Sequence, residues 1–298
     1  GPPPARQFHA LETPEDTYIA YPGMIHMMLR EDRVQGRPDF SPHVLRAHEI
    51  SHQWFGLGVD NATYHDAWLG EGFADFCSIW YRQAGCKDAK TYLDVLSKWR
   101  TDLLENRRFA LGENQQAGPI WLGARTNSST TPDDYSLVVY EKGAWVLHML
   151  RSVLGEEAFW KSVRSYGLEH RYKSVDTSDF RKTVERQTGR NLERFFYDWT
   201  ERPGHPILEV NSDYLPETKQ ARIVVKQTQN GEAFHFPLQV VLHGAKGAKP
   251  VVHRQEIAAK EQTLFIPVAD VLTRVEVDPD QAVLADIKEK KSRDWWLY

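Results

Sequence analysis

The sequence predicts an α+β chain, a mostly helical domain followed by a small antiparallel β-sandwich. Three observations predict it. Apolar residues recur at helical spacing through most of the first two hundred positions. The run Arg202-Pro203-Gly204-His205-Pro206 then interrupts the pattern with two prolines and a glycine. Beyond it the apolar residues come in short alternating runs, the period of strands. The expected division is therefore 1–203 and 204–298.

After a short extended start, Ser41-Pro42 reads as a helix start, with Ser at the N-cap and Pro in the first turn. Gly56 and Gly58 end that helix, expected over about 41–55, and Val44, Leu45, Ile50, Trp54 and Phe55 give it apolar surroundings. A second helix over about 68–84 carries the stripe Phe73, Phe76, Cys77 and Trp80. Further helices are expected near 88–106, 136–153, 156–170, 178–188 and 191–200. The fifth of these seven candidates is followed by a start at Ser178 or Asp179 after Thr177, and Gly189 stops the sixth. Residues 111–135 form a polar connection whose length points either to a cleft wall or to disorder. The expected strands are Ile207–Val210, Ala221–Gln227, Phe236–Leu242, Val251–His253, Thr263–Ile266 and Arg274–Val277.

Length and composition set bounds. The 298 residues hold one large domain or two, and 41% hydrophobic content with ten Trp supports a packed core. A net charge of −4 without a basic run leaves no footprint for nucleic acid. No apolar stretch approaches the length of a membrane span. Two cysteines, Cys77 and Cys86, make no disulfide framework. The Gly1-Pro2 start reads as a protease-cleavage scar, so a missing leader carries no information about compartment.

The chemistry concentrates in His48-Glu49-Ile50-Ser51-His52 and in Glu71, nineteen residues after the second histidine. Residues four apart share a helix face, so His48 and His52 present two imidazoles to one point. Glu71, from the next helix, supplies a third ligand once the turn-rich stretch Gly56–Ala67 folds it back. Three protein ligands leave one position open, the mark of a catalytic rather than a structural zinc. Glu49 sits beside that face as the general base for water. One Zn2+ per chain is the expected cofactor, and a peptide the expected partner.

The motifs HEISHQWFG at 48–56, DAWLGEGFADF at 66–76 and VYEKGAWVLHMLR at 139–151 resemble the aminopeptidase N family of zinc metallopeptidases, gluzincins with a thermolysin-like catalytic domain. Residues 179–210 resemble the end of that domain. The resemblance implies that His48, His52 and Glu71 hold zinc, that Glu49 is the base and that Tyr140 donates to the tetrahedral oxyanion. Tyr140 also shares a helical face with Ala144 and Leu147, as a core aromatic would. The family carries a β-rich domain before this one and in many members a helical domain after it, so a fragment or a reduced member is expected.

One stretch departs from the family. Its Gly-x-Met-Glu-Asn strand, whose Glu grips the substrate amine, is matched by Tyr21-Pro22-Gly23-Met24-Ile25-His26. Gly23 and Met24 are then the expected substrate-binding residues, an edge strand pairing with an extended peptide. Ile25 stands where the amine-anchoring Glu belongs. The leading reading is an aminopeptidase. The alternatives are a zinc endopeptidase lacking the amine anchor and a non-catalytic zinc-binding module of the same fold. Epoxide hydrolysis, known in one branch of the family, has no specific sign here.

Overall fold

The structure is a computed structural model that describes residues 5–14, 17–28, 39, 41–105, 118–127, 134–244, 249–268 and 271–291. The chain divides into two compact units, Gly1–Gly204 and His205–Tyr298.

The first unit opens with three strands, β1 (His9–Thr13), β2 (Ile19–Tyr21) and β3 (Met24–Met28), in the order β1-β3-β2. β3 is the central strand, parallel to β1 and antiparallel to β2, with Ala20 opposite Ile25. The helices follow: α1 (Pro42–Ser51), α2 (Trp68–Ala84), α3 (Ala89–Glu105), α4 (Gly143–Leu154), α5 (Glu156–Glu169), α6 (Thr177–Thr188) and α7 (Glu193–Phe196). Two short strands, β4 (Asp60–Asn61) and β5 (Ser174–Val175), pair in parallel.

The helix signals mostly hold, with local corrections. Pro42 occupies the first turn of α1, but the Ser41 side chain makes no capping bond. Ile50, expected among apolar neighbours, is 39% exposed, because it is turned away from the face of α1 that buries Val44, His48 and Ser51. The cap of α6 is Asp176, whose carboxylate accepts from the Asp179 amide at 2.7 Å, and Gly189 ends that helix at φ 68°. Residues 136–142, expected as ordinary helix, wind as a π-helix before α4. Of the 111–135 connection, 118–127 and 134–135 are described, with a 3₁₀ stretch at Ile120–Thr126; the rest lies outside the described residues.

An aromatic cluster anchors α2. Phe73 stacks on Phe55 at 4.2 Å and meets Tyr166 and Phe180 at 5.8 and 5.2 Å. Each such buried side chain contributes roughly 2–3 kcal/mol of burial free energy. This packing fixes α2 against the end of α1 and so sets where Glu71 stands. A second constraint comes from glycines. A Cβ on Gly72 would lie 2.8 Å from the Gly143 carbonyl carbon, so the backbones of α2 and the start of α4 touch.

The second unit holds two sheets. One has the order β10 (Glu261–Pro267), β7 (Gln220–Gln227), β6 (Ile207–Leu215), β12 (Asp286–Lys291). The other is β11 (Arg274–Val277), β8 (Phe236–His243), β9 (Val251–Ile257). Alternate residues such as Leu208, Val210, Ile223, Val225, Leu238 and Val240 are buried, the pattern of strands with one covered face. Pairing is antiparallel except that β12, absent from the sequence reading, runs parallel to β6. Among the described residues no helix is long and apolar enough to cross a membrane, and Cys77 and Cys86 are free thiols.

Candidate metal centre and active site

α1 presents His48 and His52 one turn apart, and the first turn of α2 brings Glu71 to them. The two Nε2 atoms stand 3.1 Å apart. Glu71 Oε2 lies 3.5 Å from Nε2 of His48 and 3.3 Å from Nε2 of His52. Three ligand atoms from two helices thus converge on one point.

The other ring nitrogens are committed. His48 Nδ1–H donates to Asp75 Oδ1 at 2.6 Å, and His52 Nδ1–H donates to the Phe55 carbonyl at 3.0 Å. A neutral imidazole with its proton on Nδ1 has a bare lone pair on Nε2. Once His48 gives up its second proton, two such lone pairs face one point beside a carboxylate. They fit a cation, and the N, N, O donor set with fixed outer partners fits zinc. Neither acceptor was assigned from sequence. Asp66, equally close in the chain, instead accepts from Thr177 and Thr63 and ties α6 to the turn before α2.

Electrostatics agree with the geometry. Burial lowers the pKa of His48, but Asp75, Glu71 and Glu49 outweigh it and raise the value to about 10. Burial raises that of Glu71, but its bonds to His48 and His52 prevail and bring it down to about 2. The cluster is built to hold positive charge. Glu49, buried on the same helix, is pushed above the ordinary carboxylate range, first by burial, against the opposing pull of both histidines. Such a shift suits a general base at neutral pH.

Tyr140 lies in the π-helix of residues 136–142, its ring parallel to His48 at 6.0 Å between centroids. Burial, and then the charge of Glu71, keep its phenol protonated. It lines a cleft of about 740 Å³ together with His48, Glu49, His52 and Glu71. His48, Glu49, His52, Glu71 and Tyr140, expected to form one site, therefore line one cleft.

Gly23 and Met24 do not. They lie outside the cleft lining, where Thr17, Tyr18, Ile19 and Ala20 stand instead. The reason is strand order. β3 is central, and Met24 pairs with His9 of β1 on one side and Tyr21 of β2 on the other, so this end of β3 has no free edge to offer a peptide. The Gly23 amide donates to Gln53 Oε1 at 2.7 Å, and its carbonyl accepts from the His9 amide. Ile25 is 2% exposed, in the core. The edge strand at the cleft is β2, held to the end of α1 by Gln53, whose Nε2 donates to the Tyr21 carbonyl at 3.0 Å. Gln53 follows His52 directly, a positioning role that its sequence context did not announce.

Two helices, a convergent donor set and a flanking carboxylate define a metallohydrolase-like centre in the first unit. The sequence matches the Peptidase family M1 domain over residues 29–199, and the chain belongs to that family. It is 27% identical over 262 residues to Tricorn protease-interacting factor F2 of Thermoplasma volcanium, covering 84% of this chain and 31% of that protein. It is 26% identical over 209 residues to aminopeptidase N of Lactococcus lactis, covering 66% of this chain and 23% of that one. The crystal structure of Legionella pneumophila aminopeptidase A in complex with aspartic acid shares the fold, with a TM-score of 0.71 and 19% identity over 99% of this chain and 33% of that chain. The chain thus spans about a third or less of the length of these relatives.

Proposed function

We propose that this chain is a zinc-dependent peptidase whose metal is held, one per chain, by His48, His52 and Glu71. The observation that carries the reading is the pair of Nε2 atoms 3.1 Å apart beside Glu71, each ring fixed by an acceptor on its other nitrogen. Zinc in that position supplies Lewis acidity toward a peptide carbonyl and toward water. Glu49 takes the proton from the attacking water and returns it to the leaving amine. Its raised pKa matches both halves of that task. Tyr140 donates its phenolic hydrogen to the oxygen that becomes negative as the carbonyl turns tetrahedral. The edge of β2 pairs with the extended peptide and aligns it along the cleft.

Removal of N-terminal residues is the leading form of this activity, in keeping with relatives named aminopeptidases. A second reading, endopeptidase action, is favoured by one observation: Ile25, at the position of the family's amine-anchoring Glu, is apolar and buried in the core. Zinc content and cleavage of free against N-acetylated peptides test both. Cleavage confined to free peptides supports the aminopeptidase, and cleavage of both supports the endopeptidase. Bound zinc without cleavage of either contradicts the enzymatic reading and leaves a binding module.

A further inference from the structure

Beside the metal-ligand cluster stands a second group of charged side chains that the mechanism does not use. Asp39, Asp102 and Glu141 each offer a carboxylate oxygen within 4.8 Å of the other two. Asp39 and Glu141 line the same cleft as the histidines, and Glu141 directly follows Tyr140 in the π-helix. Glu141 is 9% exposed, and its Oε2 is buried with no hydrogen-bond partner. An unpaired buried carboxylate oxygen is costly and calls for an occupant.

We infer that this pocket receives the positively charged side chain of a lysine in the bound peptide. The occupant rests on the peptidase reading above. An ammonium has three N–H donors and no acceptor, and the unpaired Oε2 of Glu141, with Asp39 and Asp102 beside it, answers it. The wall of the pocket suits the stem. Trp99, buried and lining the cleft, lies three residues before Asp102 on α3, on the same helix face, and offers an apolar surface for the lysine methylenes. A divalent cation fits less well. Calcium takes six to eight oxygens, whereas here only Glu141 Oε2 is buried without a partner. Glu141 is held well above the ordinary carboxylate range, first by burial and then by Asp102, Asp75 and Asp39, and a cation relieves each of these.

The test uses the zinc-loaded Glu49→Gln protein, so that binding is read without turnover. Alanine hexapeptides carrying one lysine or one norleucine at successive positions, each free and N-acetylated, are titrated by calorimetry. The pocket predicts one position at which lysine binds about tenfold more tightly, the low end for close charge pairs, in both the free and the acetylated series. Asp102→Asn and Glu141→Gln, which keep shape and remove a like charge, each bring that ratio toward one. Peptides that bind with no lysine preference, or a preference that survives both substitutions, overturn the inference alone. A preference lost on acetylation overturns it in favour of the α-amine. Micromolar calcium binding that Glu141→Gln abolishes overturns it in favour of a metal. Failure of every peptide to bind overturns both this pocket and the peptidase reading.

Discussion

Asp75 accepts a 2.6 Å hydrogen bond from Nδ1 of His48 and thereby decides which nitrogen of that ring faces Glu71. The pair lies on two helices, His48 on α1 and Asp75 one turn beyond Glu71 on α2. One helix thus delivers both a proposed ligand, Glu71, and the group that orients another, His48. Asp75→Asn keeps the size of the side chain but removes the charge. It should weaken zinc binding by about tenfold to a hundredfold. Competition against a chromogenic chelator measures this directly, and an unchanged affinity would assign Asp75 to packing.

Glu49→Gln should keep the fold and the zinc and lose roughly a hundredfold to ten-thousandfold in kcat. Glutamine preserves the shape of the buried side chain and cannot take a proton. Equal turnover in variant and parent, both sensitive to a chelator, would remove Glu49 from the role.

Tyr140→Phe should lower kcat with little change in KM, because the phenol is needed after the carbonyl becomes tetrahedral. Loss of one such donor costs about 3 kcal/mol, a few hundredfold. An unchanged kcat with chemistry rate-limiting would leave Tyr140 as a core aromatic.

Gly72→Ala should destabilise the protein by about 1–3 kcal/mol, the usual cost of overpacking. The added methyl meets Gly143 backbone atoms rather than a flexible side chain, so α2 and the start of α4 must separate. That movement shifts Glu71 and Tyr140 together. Thermal melts and zinc affinity should both fall. A full-affinity, fully stable variant would show that the contact does not position the site.

The pH dependence has a definite sign. In the metal-free protein Glu71 falls from 4.5 to about 2, so its contribution to stability is present above pH 4.5 and is lost as pH falls toward 2. His48 rises from 6.5 to about 10, so its contribution is full below pH 6.5 and is lost as pH rises through 10. The metal-free cluster therefore favours folding most between about pH 4.5 and 6.5. Zinc must displace the His48 proton, so its affinity should climb about tenfold per pH unit through neutrality. Chelator competition at pH 6, 7 and 8 checks the slope; a flat profile would contradict the assigned protonation.

The parts of this structure that were legible in the sequence are those set by neighbours along the chain. The spacing of His48 and His52, Pro42 in the first turn of α1, the stripe through Phe73 and Phe76, and Gly189 after α6 each act within a few residues. What escaped depends on distant partners. Which strand holds the sheet edge at the cleft is decided by pairing of β3 with both β1 and β2, and no local signal marks it; hence Gly23 and Met24 were expected where Thr17–Ala20 stand. The acceptor of His52 is a backbone carbonyl, that of Phe55, which any residue would supply. The π-helix keeps the apolar periodicity of an α-helix over its seven residues, so Tyr140 and Glu141 were seen on a helix but not in their actual winding. β12, with its lysines and glutamate, lacks alternation and is recruited by β6.

Every role proposed for these side chains depends on a metal between His48, His52 and Glu71. The most direct measurement is an anomalous difference map from crystals of the protein purified without added metal, collected on both sides of the zinc absorption edge. The account predicts one peak per chain, present only above the edge, within about 2.0–2.2 Å of Nε2 of His48, Nε2 of His52 and a Glu71 oxygen. A map without a peak at that point, in crystals soaked with zinc as well, would contradict it.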